Sequence, residues 1–325
     1  MADLTRTAAF VETVDLPTPE TPLQEFWRVF RRDRLAMAGL GILLLLALAA
    51  LAGKGLTEWV VIVNPETVRL PDKFQPPMSY ASADVTPEAD HPLFGVYLLG
   101  TDELGRDVFA RMLQGSFVSL SIGFIAVGIS VFIGILLGGL SGFYGNVKLG
   151  FIAVDTLIMR FTDIMLCFPT FFLILTVVAL LPPSIYNIMI VIGLTSWMGT
   201  ARFVRAEFLA LREQDFVIAA QALGLPERRI IFRHMVPNAI APVLVSATIG
   251  VASAILTESA LSFLGFGVQP PYATWGNILA DGKGFIFDAP WLFFIPGLAI
   301  LVVVLAFNLV GEGLREALNP KLRRR

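Results

Sequence analysis

Charged residues are scarce in this sequence: Asp, Glu, Lys and Arg make up only 15% of its 325 residues. A typical soluble domain carries about 25%. Hydrophobic residues make up 56%, and they form runs of about 20 residues, the length that a helix needs to cross the hydrocarbon core of a bilayer. The composition therefore excludes an ordinary soluble domain and predicts a helical membrane protein.

The sequence also has only one cysteine and no excess of basic residues. Cys167 is the single cysteine, so no disulfide can form within the chain, and its apolar surroundings indicate a packing role. The net charge of -2 at pH 7 does not supply the basic surface that nucleic-acid binding requires. No nucleic-acid partner is expected.

Sequence patterns of catalysis are also absent. The sequence contains no G-x-x-x-x-G-K-[ST] phosphate loop, no H-E-x-x-H and no G-x-S-x-G. Its two histidines, His91 and His234, fall in loops predicted on opposite sides of the membrane. We expect no catalytic residue, no metal site and no cofactor bound by this chain, which makes a membrane enzyme the weakest interpretation.

Six apolar runs predict six transmembrane helices. The first occupies residues 35–56, and five more form a core of residues 117–310. Within that core the runs lie at 117–143, 151–181, 186–200, 239–264 and 291–310. The remaining parts are an N-terminal tail (1–34), an outer segment with the helix that leads into the second span (57–116), a loop (201–238) and a C-terminal tail (311–325).

Basic residues predict the orientation of these helices. Four arginines occur at 28–34, six in the loop 201–238 and five Lys or Arg residues after 310, whereas residues 57–98 hold only Arg69 and Lys73. Because basic loops remain in the cytosol, both termini and the loop 201–238 are predicted to be cytosolic.

Charges interrupt the third apolar run. Arg160 and Asp163 are about one helical turn apart, so they are predicted to pair with each other near the cytosolic end as an anchoring or packing pair. The alternative is that they line a transport pathway.

Small residues and prolines predict how the helices pack. Gly134, Gly138, Gly139 and Gly142 in the second run allow neighbouring backbones to approach closely. Prolines at 169, 242 and 296 are expected to bend their helices.

The loop 201–238 contains QDFVIAAQALGLPERRIIFRHMVPN at residues 214–238, a pattern typical of two short helices. Asp215 is predicted to cap the first, and Gly224 to end it in a left-handed conformation. Pro226 should open the second helix and Pro237 should close it. One apolar face is predicted for the first helix, composed of Phe216, Ala219, Ala220 and Leu223.

Two interpretations of this loop remain open from its residues alone. A structured loop of this length indicates a docking surface for another protein. An amphipathic hairpin that lies on the lipid interface is the alternative.

This loop resembles the cytosolic EAA loop of ABC-type import permeases. Ala219, Ala220, Gly224 and Pro237 match at the family spacing, whereas Ile218 replaces the family glutamate and Val236 replaces a leucine. The resemblance implies an ATPase-coupling loop. Its residues would be Asp215, Phe216, Ala219, Ala220, Leu223, Gly224, Pro226 and Pro237.

Two further stretches narrow the resemblance. Residues 99–115 (LGTDELGRDVFARMLQG) and 256–279 (LTESALSFLGFGVQPPYATWGNIL) are similar to the C-type permease of the dipeptide, oligopeptide and nickel group. In the first stretch, Arg106 and Asp107 are expected to form a structural charge pair. In the second, Glu258 is an ionisable group in an apolar span, and it either lines the pathway or serves as a hydrogen-bonded strut.

The family resemblance implies an all-α polytopic protein with the six-helix fold of type I ABC importer permeases (MetI-like), in the cytoplasmic membrane of a bacterium or archaeon. The implied partners are the lipid bilayer, a second permease (B-type), two ABC ATPases that bind ATP and Mg²⁺, and an extracytoplasmic substrate-binding protein. Di- or oligopeptides are the expected substrates. Nickel or another small solute is an alternative, and an ion-coupled secondary transporter is a more distant one.

Overall fold

The computed structural model describes residues 21–59, 64–82 and 92–318. Helices dominate these ranges, which confirms the predicted all-α class. The expectations for residues 1–20, His91 and residues 319–325 fall outside them. The helices are α1 (Pro22–Arg32), α2 (Arg34–Lys54), α3 (Val108–Phe143), α4 (Val154–Leu166), α5 (Thr170–Leu180), α6 (Ile185–Thr195), α7 (Trp197–Arg212), α8 (Asp215–Ala222), α9 (Glu227–Arg229), α10 (Val236–Phe263), α11 (Trp275–Gly282) and α12 (Trp291–Leu318).

Short strands and turns connect the helices. In the outer segment, β1 (Ser79–Tyr80) pairs antiparallel with β2 (Val96–Tyr97), with Ser79 opposite Tyr97. Between α3 and α4, β3 (Lys148–Leu149) pairs antiparallel with β4 (Ile152–Ala153). Tighter and wider helical turns occur at Leu70–Asp72 and Leu93–Gly95 (3₁₀) and at Gly55–Trp59 and Ile230–Met235 (π).

The six predicted apolar runs correspond to four long helices and two bent pairs. The helices Arg34–Thr57, Val108–Phe143, Glu227–Phe263 and Trp291–Leu318 are each long and apolar enough to cross a membrane. The other two runs are the pairs α4 with α5 and α6 with α7, so the described residues provide up to six spans.

The third and fourth predicted spans are broken. α4 and α5 meet at 82°, at a break that contains Pro169, whose ring fixes φ and removes a backbone donor. The predicted bend is confirmed there, but it is sharp enough to divide the run into two helices. α6 and α7 meet at 40° across Ser196.

Several helices extend past their predicted limits. α3 begins at Val108 and not at residue 117, α7 continues to Arg212, and α12 continues to Leu318. The short helix α9, the π turn and α10 form one element from Glu227 to Phe263. Hydropathy detects only the apolar part of a helix, so the non-helical part of the predicted loop is much shorter than 201–238.

The N-terminal segment contains a helix that was not predicted. α1 begins with a capping box, in which the Thr21 hydroxyl accepts the Gln24 N–H at 3.4 Å and the Gln24 side chain accepts the Thr21 N–H at 2.9 Å. Its apolar residues recur at helical spacing and form no continuous run, which explains why hydropathy missed it.

Glycines bring α3 into close contact with α7. Gly134, Gly138 and Gly142 are spaced by four residues and share one face of α3. A methyl group on Gly138 would lie 2.4 Å from the Ala201 carbonyl oxygen, and one on Gly142 would lie 2.5 Å from the Phe208 Cβ. The predicted close packing is confirmed, and α3 also packs against α2, α6 and α10.

The ion pair predicted between Arg160 and Asp163 does not form. Asp163 pairs with Arg202 of α7 instead, and Arg160 makes no ion pair with any described residue. Asp155 of α4 likewise accepts hydrogen bonds from Arg205 Nε at 2.5 Å and Nη2 at 2.6 Å. Both aspartates face α7 and pair with its arginines. For Asp163, Arg202 of α7 takes the place of Arg160 on the same helix.

The glycine contact between α3 and α7 can be tested with two identical substitutions on one helix. Gly138→Ala should lower the free energy of unfolding by about 1–3 kcal/mol, because the new methyl group overlaps α7. The measurement is the thermal unfolding midpoint in detergent micelles. The control is Gly128→Ala, since a methyl group there meets nothing within 4 Å. Equal midpoints for the two variants would show that the contact does not hold the helices together.

Candidate functional site

The helix α8 lies between the end of α7 and the start of α9. Its N-cap is Gln214, which makes no side-chain capping bond. Asp215 is the first helical residue, so the prediction that it caps the helix is wrong, although its charge still interacts favourably with the helix dipole. Ile218, at the position of the family glutamate, is half exposed at 49%.

α8 has a buried face and an exposed face. Val217 and Ala220 are buried, whereas Phe216, Ala219 and Leu223 are exposed, Leu223 at 79%. The four residues predicted to share one face do lie within one arc of the helix, at about 100° per residue. Ala220 lies at the edge of that arc nearest Val217 and is buried, whereas the other three are exposed.

The buried face of α8 packs into an apolar cluster at one end of the bundle. Val217 and Ala220 belong to this cluster, here named the inner cluster. Its other members come from α3, α7, the π turn and α10, and they are Phe143, Val204, Phe208, Ile230, Met235, Ala239 and Val243. α8 itself contacts α7 and the π turn, and the inner cluster continues from these to α3 and α10.

Gly224 ends α8 as predicted. Its φ is +70°, a conformation that favours glycine. The Leu225 N–H donates to the Ala220 carbonyl at 3.2 Å, and the Gly224 N–H donates to the Gln221 carbonyl at 2.9 Å. These two bonds form a Schellman motif, which satisfies the last carbonyls of the helix and fixes the chain direction after it.

The two prolines of the loop, Pro226 and Pro237, lie at the starts of two different helices. Pro226 is the N-cap residue of α9 and opens that helix as predicted. Pro237 does not close a helix. It lies in the first turn of α10, directly after the π turn Ile230–Met235, and a first-turn proline removes no essential hydrogen bond from α10.

Two side chains tie the loop to the end of α3. Arg212 Nη1 donates to the Phe143 carbonyl at 3.2 Å. The Tyr144 hydroxyl donates to Glu227 Oε2 at 2.9 Å. With the inner cluster, these bonds hold α8 and α9 as one unit against the bundle.

A cavity of about 290 Å³ lies among α3, α6, α7 and α10, and its lining combines apolar side chains with hydroxyl groups. This cavity is lined by six of them, those of Ser130, Ser196, Thr200, Ser246, Ser253 and Thr257. It provides hydrogen-bonding groups inside the set of apolar helices.

Glu258 is fully buried on α10 and does not line this cavity. Its Oε1 accepts a hydrogen bond from the Ser262 hydroxyl at 2.7 Å, and its Oε2 has no partner among the described residues. α11 approaches the same face of α10, because Gly276 allows its backbone to contact Ser259 and Ser262. The carboxyl group therefore lies in a packed interface.

A charge network joins the outer segment to α11. Asp102 is fully buried and accepts hydrogen bonds from Arg106 Nε at 2.7 Å and Arg111 Nη1 at 2.6 Å. Arg111 Nη2 lies 3.0 Å from Asp281 Oδ2. Arg106 thus pairs with Asp102 and not with Asp107 as predicted. Asp102 and Arg111 were not predicted as partners although they lie in the same stretch as Arg106, and Asp281 could not be, because it is 170 residues from Arg111 in the chain.

Asp107 has a separate role as the N-cap of α3. Its Oδ1 accepts the Phe109 N–H at 2.8 Å, which satisfies one donor of the first helical turn. Burial raises the pKa of the Asp107 carboxyl to about 6, against the lowering effect of the Phe109 and Ala110 N–H groups and of Arg69.

These features define a class of protein: a polytopic helical permease with a cavity among its spans and a short helix seated on their ends. Residues 130–324 match the family described as the binding-protein-dependent transport system inner membrane component. Residues 21–77 match the N-terminal transmembrane domain of oligopeptide transport permease C. The chain belongs to this family of inner membrane transport components, and the family identification made from its sequence is confirmed.

Individual relatives align over nearly the whole chain. The dipeptide transport system permease protein DppC of Alkalihalophilus pseudofirmus is 38% identical over 309 residues, covering 95% of this chain and 93% of the relative. The protein of the same name from Haemophilus influenzae is 39% identical over 305 residues, covering 94% and 97%. A solved inward-facing structure of the MetNI methionine ABC transporter is 18% identical and covers 64% of this chain and 95% of that one, with a TM-score of 0.49.

The pKa of Asp107 predicts a pH-dependent stability. A raised carboxyl pKa stabilises the folded protein at low pH, and this contribution is lost as the pH rises from about 4 through about 6. Asp107→Asn keeps the acceptor for the Phe109 N–H but cannot ionise. Across that range the wild type should lose up to about 3 kcal/mol of unfolding free energy relative to the variant. Parallel pH profiles of the two unfolding midpoints would contradict this expectation.

Proposed function

We propose that this chain is one of two permease subunits of an ATP-driven importer of dipeptides or oligopeptides. The names of its relatives, which are dipeptide transport permeases at 38–39% identity, support the peptide substrate. The other parts of the importer would be a second permease, two cytosolic ATPases that bind ATP and Mg²⁺, and an extracytoplasmic substrate-binding protein. This chain would be non-catalytic.

The proposal rests mainly on the packing of α8 into the inner cluster. An exposed apolar side chain such as Leu223 gains free energy when another protein covers it. The opposite face of α8 is already packed into the inner cluster, against α7 and the π turn. An ATPase that grips the exposed face would therefore move the ends of α3, α7 and α10 when it closes around ATP.

Transport requires α8 to behave as a rigid connector. The Schellman motif at Gly224 fixes the C-terminal end of α8, and the hydrogen bonds of Arg212 and Tyr144 hold the flanking helices α7 and α9 against the end of α3. Because packed interfaces respond to force as rigid bodies, closure of the ATPases would switch the bundle between inward-facing and outward-facing states and would not merely bend the loop. Each state would be favoured by a different ligand, ATP or the loaded binding protein.

The hydroxyl-lined cavity would form this subunit's half of the pathway. Peptides carry many backbone donors and acceptors, and hydroxyl groups can pair with either. The serine and threonine side chains around the cavity suit this task without selecting one side chain. The binding protein would supply most of the selectivity from outside, with both termini and α8 on the cytosolic side.

Glu258 would serve as a hydrogen-bonded structural residue of α10 where α11 packs on it, not as a residue of the pathway. Its complete burial, its bond from Ser262 in the same helix and the close approach of α11 at Gly276 favour this role. The charge network around Asp102 would likewise be structural, since it holds the outer segment against α11.

A charge on the exposed face of α8 should release the ATPases. Leu223→Asp should weaken ATPase association by about 10- to 100-fold, the value of one buried leucine side chain, and should abolish peptide uptake. The measurements are co-purification of the ATPases and uptake of a labelled dipeptide. Gln221→Asp is the matched control, because it places the same charge on another exposed part of α8. Normal association and uptake by Leu223→Asp would refute the docking role.

If Glu258 has a structural role, two substitutions at this position should have different effects. Glu258→Gln retains an acceptor for the Ser262 hydroxyl, so assembly and uptake should stay near wild type. Glu258→Leu leaves that hydroxyl unpaired and should lower the free energy of unfolding by about 1–3 kcal/mol. A Glu258→Gln protein that assembles normally but fails to transport would show that the carboxylate acts in the pathway.

A further inference from the structure

The helix α1 separates apolar and basic residues onto two faces. At about 100° per residue, one arc of the helix carries Leu23, Phe26, Trp27, Val29 and Phe30. The opposite arc carries three arginines with Gln24 and Glu25. This arrangement is typical of helices that lie in a membrane interface, with aromatic residues on one side and Lys or Arg on the other.

Packing against α12 fixes the rotation of α1. Phe30 is buried beside Gly313, where a methyl group would lie 3.1 Å from the phenyl ring. Phe26 and Val29 pack against the same cluster, which includes Val310 and Ala317. Only part of the apolar arc is used in this contact, so α1 cannot turn its remaining apolar side chains inward.

The rest of the apolar arc is exposed. Leu23 is 75% exposed and Trp27 is 44% exposed. Arg31 is exposed beside Trp27, Arg32 is exposed further round the polar arc, and Arg34 follows at the start of α2. An apolar strip bordered by guanidinium groups is therefore present on one side of α1.

The connection to α2 places this strip at the membrane surface. Asp33 alone separates the two helices, and its φ and ψ of -78° and 105° are non-helical. The Asp33 carboxylate accepts the N–H groups of Leu35 at 2.9 Å and Ala36 at 3.2 Å. The apolar span Arg34–Thr57 begins directly after this corner, so α1 adjoins the end of that span.

The net positive charge of residues 21–34 indicates which lipid headgroups would bind this surface. Residues 21–34 contain four arginines against Glu25 and Asp33, and Asp33 is already used as a helix cap. Guanidinium groups bind phosphate through paired hydrogen bonds, and basic residues near a membrane are attracted to anionic lipids. A surface of this composition favours an anionic phospholipid over a zwitterionic one.

We propose that α1 is a binding site for anionic phospholipid. Leu23 and Trp27 insert below the headgroups, and Arg31 and Arg32 bind the lipid phosphates. The site anchors the N-terminal side of α2 and, through Phe30 and Gly313, the end of α12. It does not depend on which solute is transported.

Cysteine accessibility in the assembled complex tests the site. Cys167 is exposed and is first replaced by serine. Single cysteines are then introduced as Leu23→Cys and, as the matched control on the polar arc, Gln24→Cys. The complex is reconstituted in nanodiscs of phosphatidylcholine, with or without phosphatidylglycerol, and treated with a water-soluble maleimide. We expect phosphatidylglycerol to slow modification at position 23 and not at position 24.

The arginines provide the second arm of the experiment. The double variant R31Q/R32Q should reduce the protection by phosphatidylglycerol by about fivefold for each arginine removed. R228Q/R229Q removes the same charge from another exposed helix and should leave the protection intact.

Three results would overturn the proposal. Equal modification at positions 23 and 24 would show that α1 does not insert. Protection that is equal in pure phosphatidylcholine and unaffected by R31Q/R32Q would show that anionic lipid is not the ligand. Protection that persists in lipid-free detergent would show that a partner subunit covers the strip.

Discussion

The apolar contact between α8 and the inner cluster is the constraint on which the proposed mechanism depends. α8 has only eight residues, and an isolated helix of that length is not stable in water. It is helical because Val217 and Ala220 are buried in the inner cluster, where α8 contacts α7 and the π turn. The same burial that makes α8 a helix also attaches it to the spans, so folding of the loop and its mechanical connection have a single physical cause.

α3 extends this connection to the other side of the bundle. Its 36 residues correspond to about 54 Å of helix, longer than the hydrocarbon core. At one end Phe143 belongs to the inner cluster, and at the other Arg111 joins the network of Asp102 and Asp281. Glycines hold α3 tightly against α7 between these ends. One helix therefore contributes to both the inner cluster and the charge network of the outer segment.

The sequence predicted those features that depend on local chemistry. Apolar runs identified all six candidate spans, and Gly224 was predicted to be left-handed because few other residues tolerate that conformation. Pro169 marked the break in the third span but not its angle, which depends on packing around it. The partners of Asp163 and Asp281 could not be predicted, because Arg202 and Arg111 lie on other helices far away in the chain. α1 was not predicted, because apolar residues on one face of a helix give a weaker hydropathy signal than a continuous apolar run.

The most direct test of the account is the identity of the protein that contacts Ala219. In a Cys167→Ser background, Ala219→Cys is treated with a short bifunctional cross-linker in the assembled importer, with and without ATP. The account predicts a cross-link to an ATPase subunit and no modification of this cysteine by an impermeant maleimide added outside intact cells. Modification from outside, or the absence of any cross-link to an ATPase in a complex that hydrolyses ATP, would contradict it.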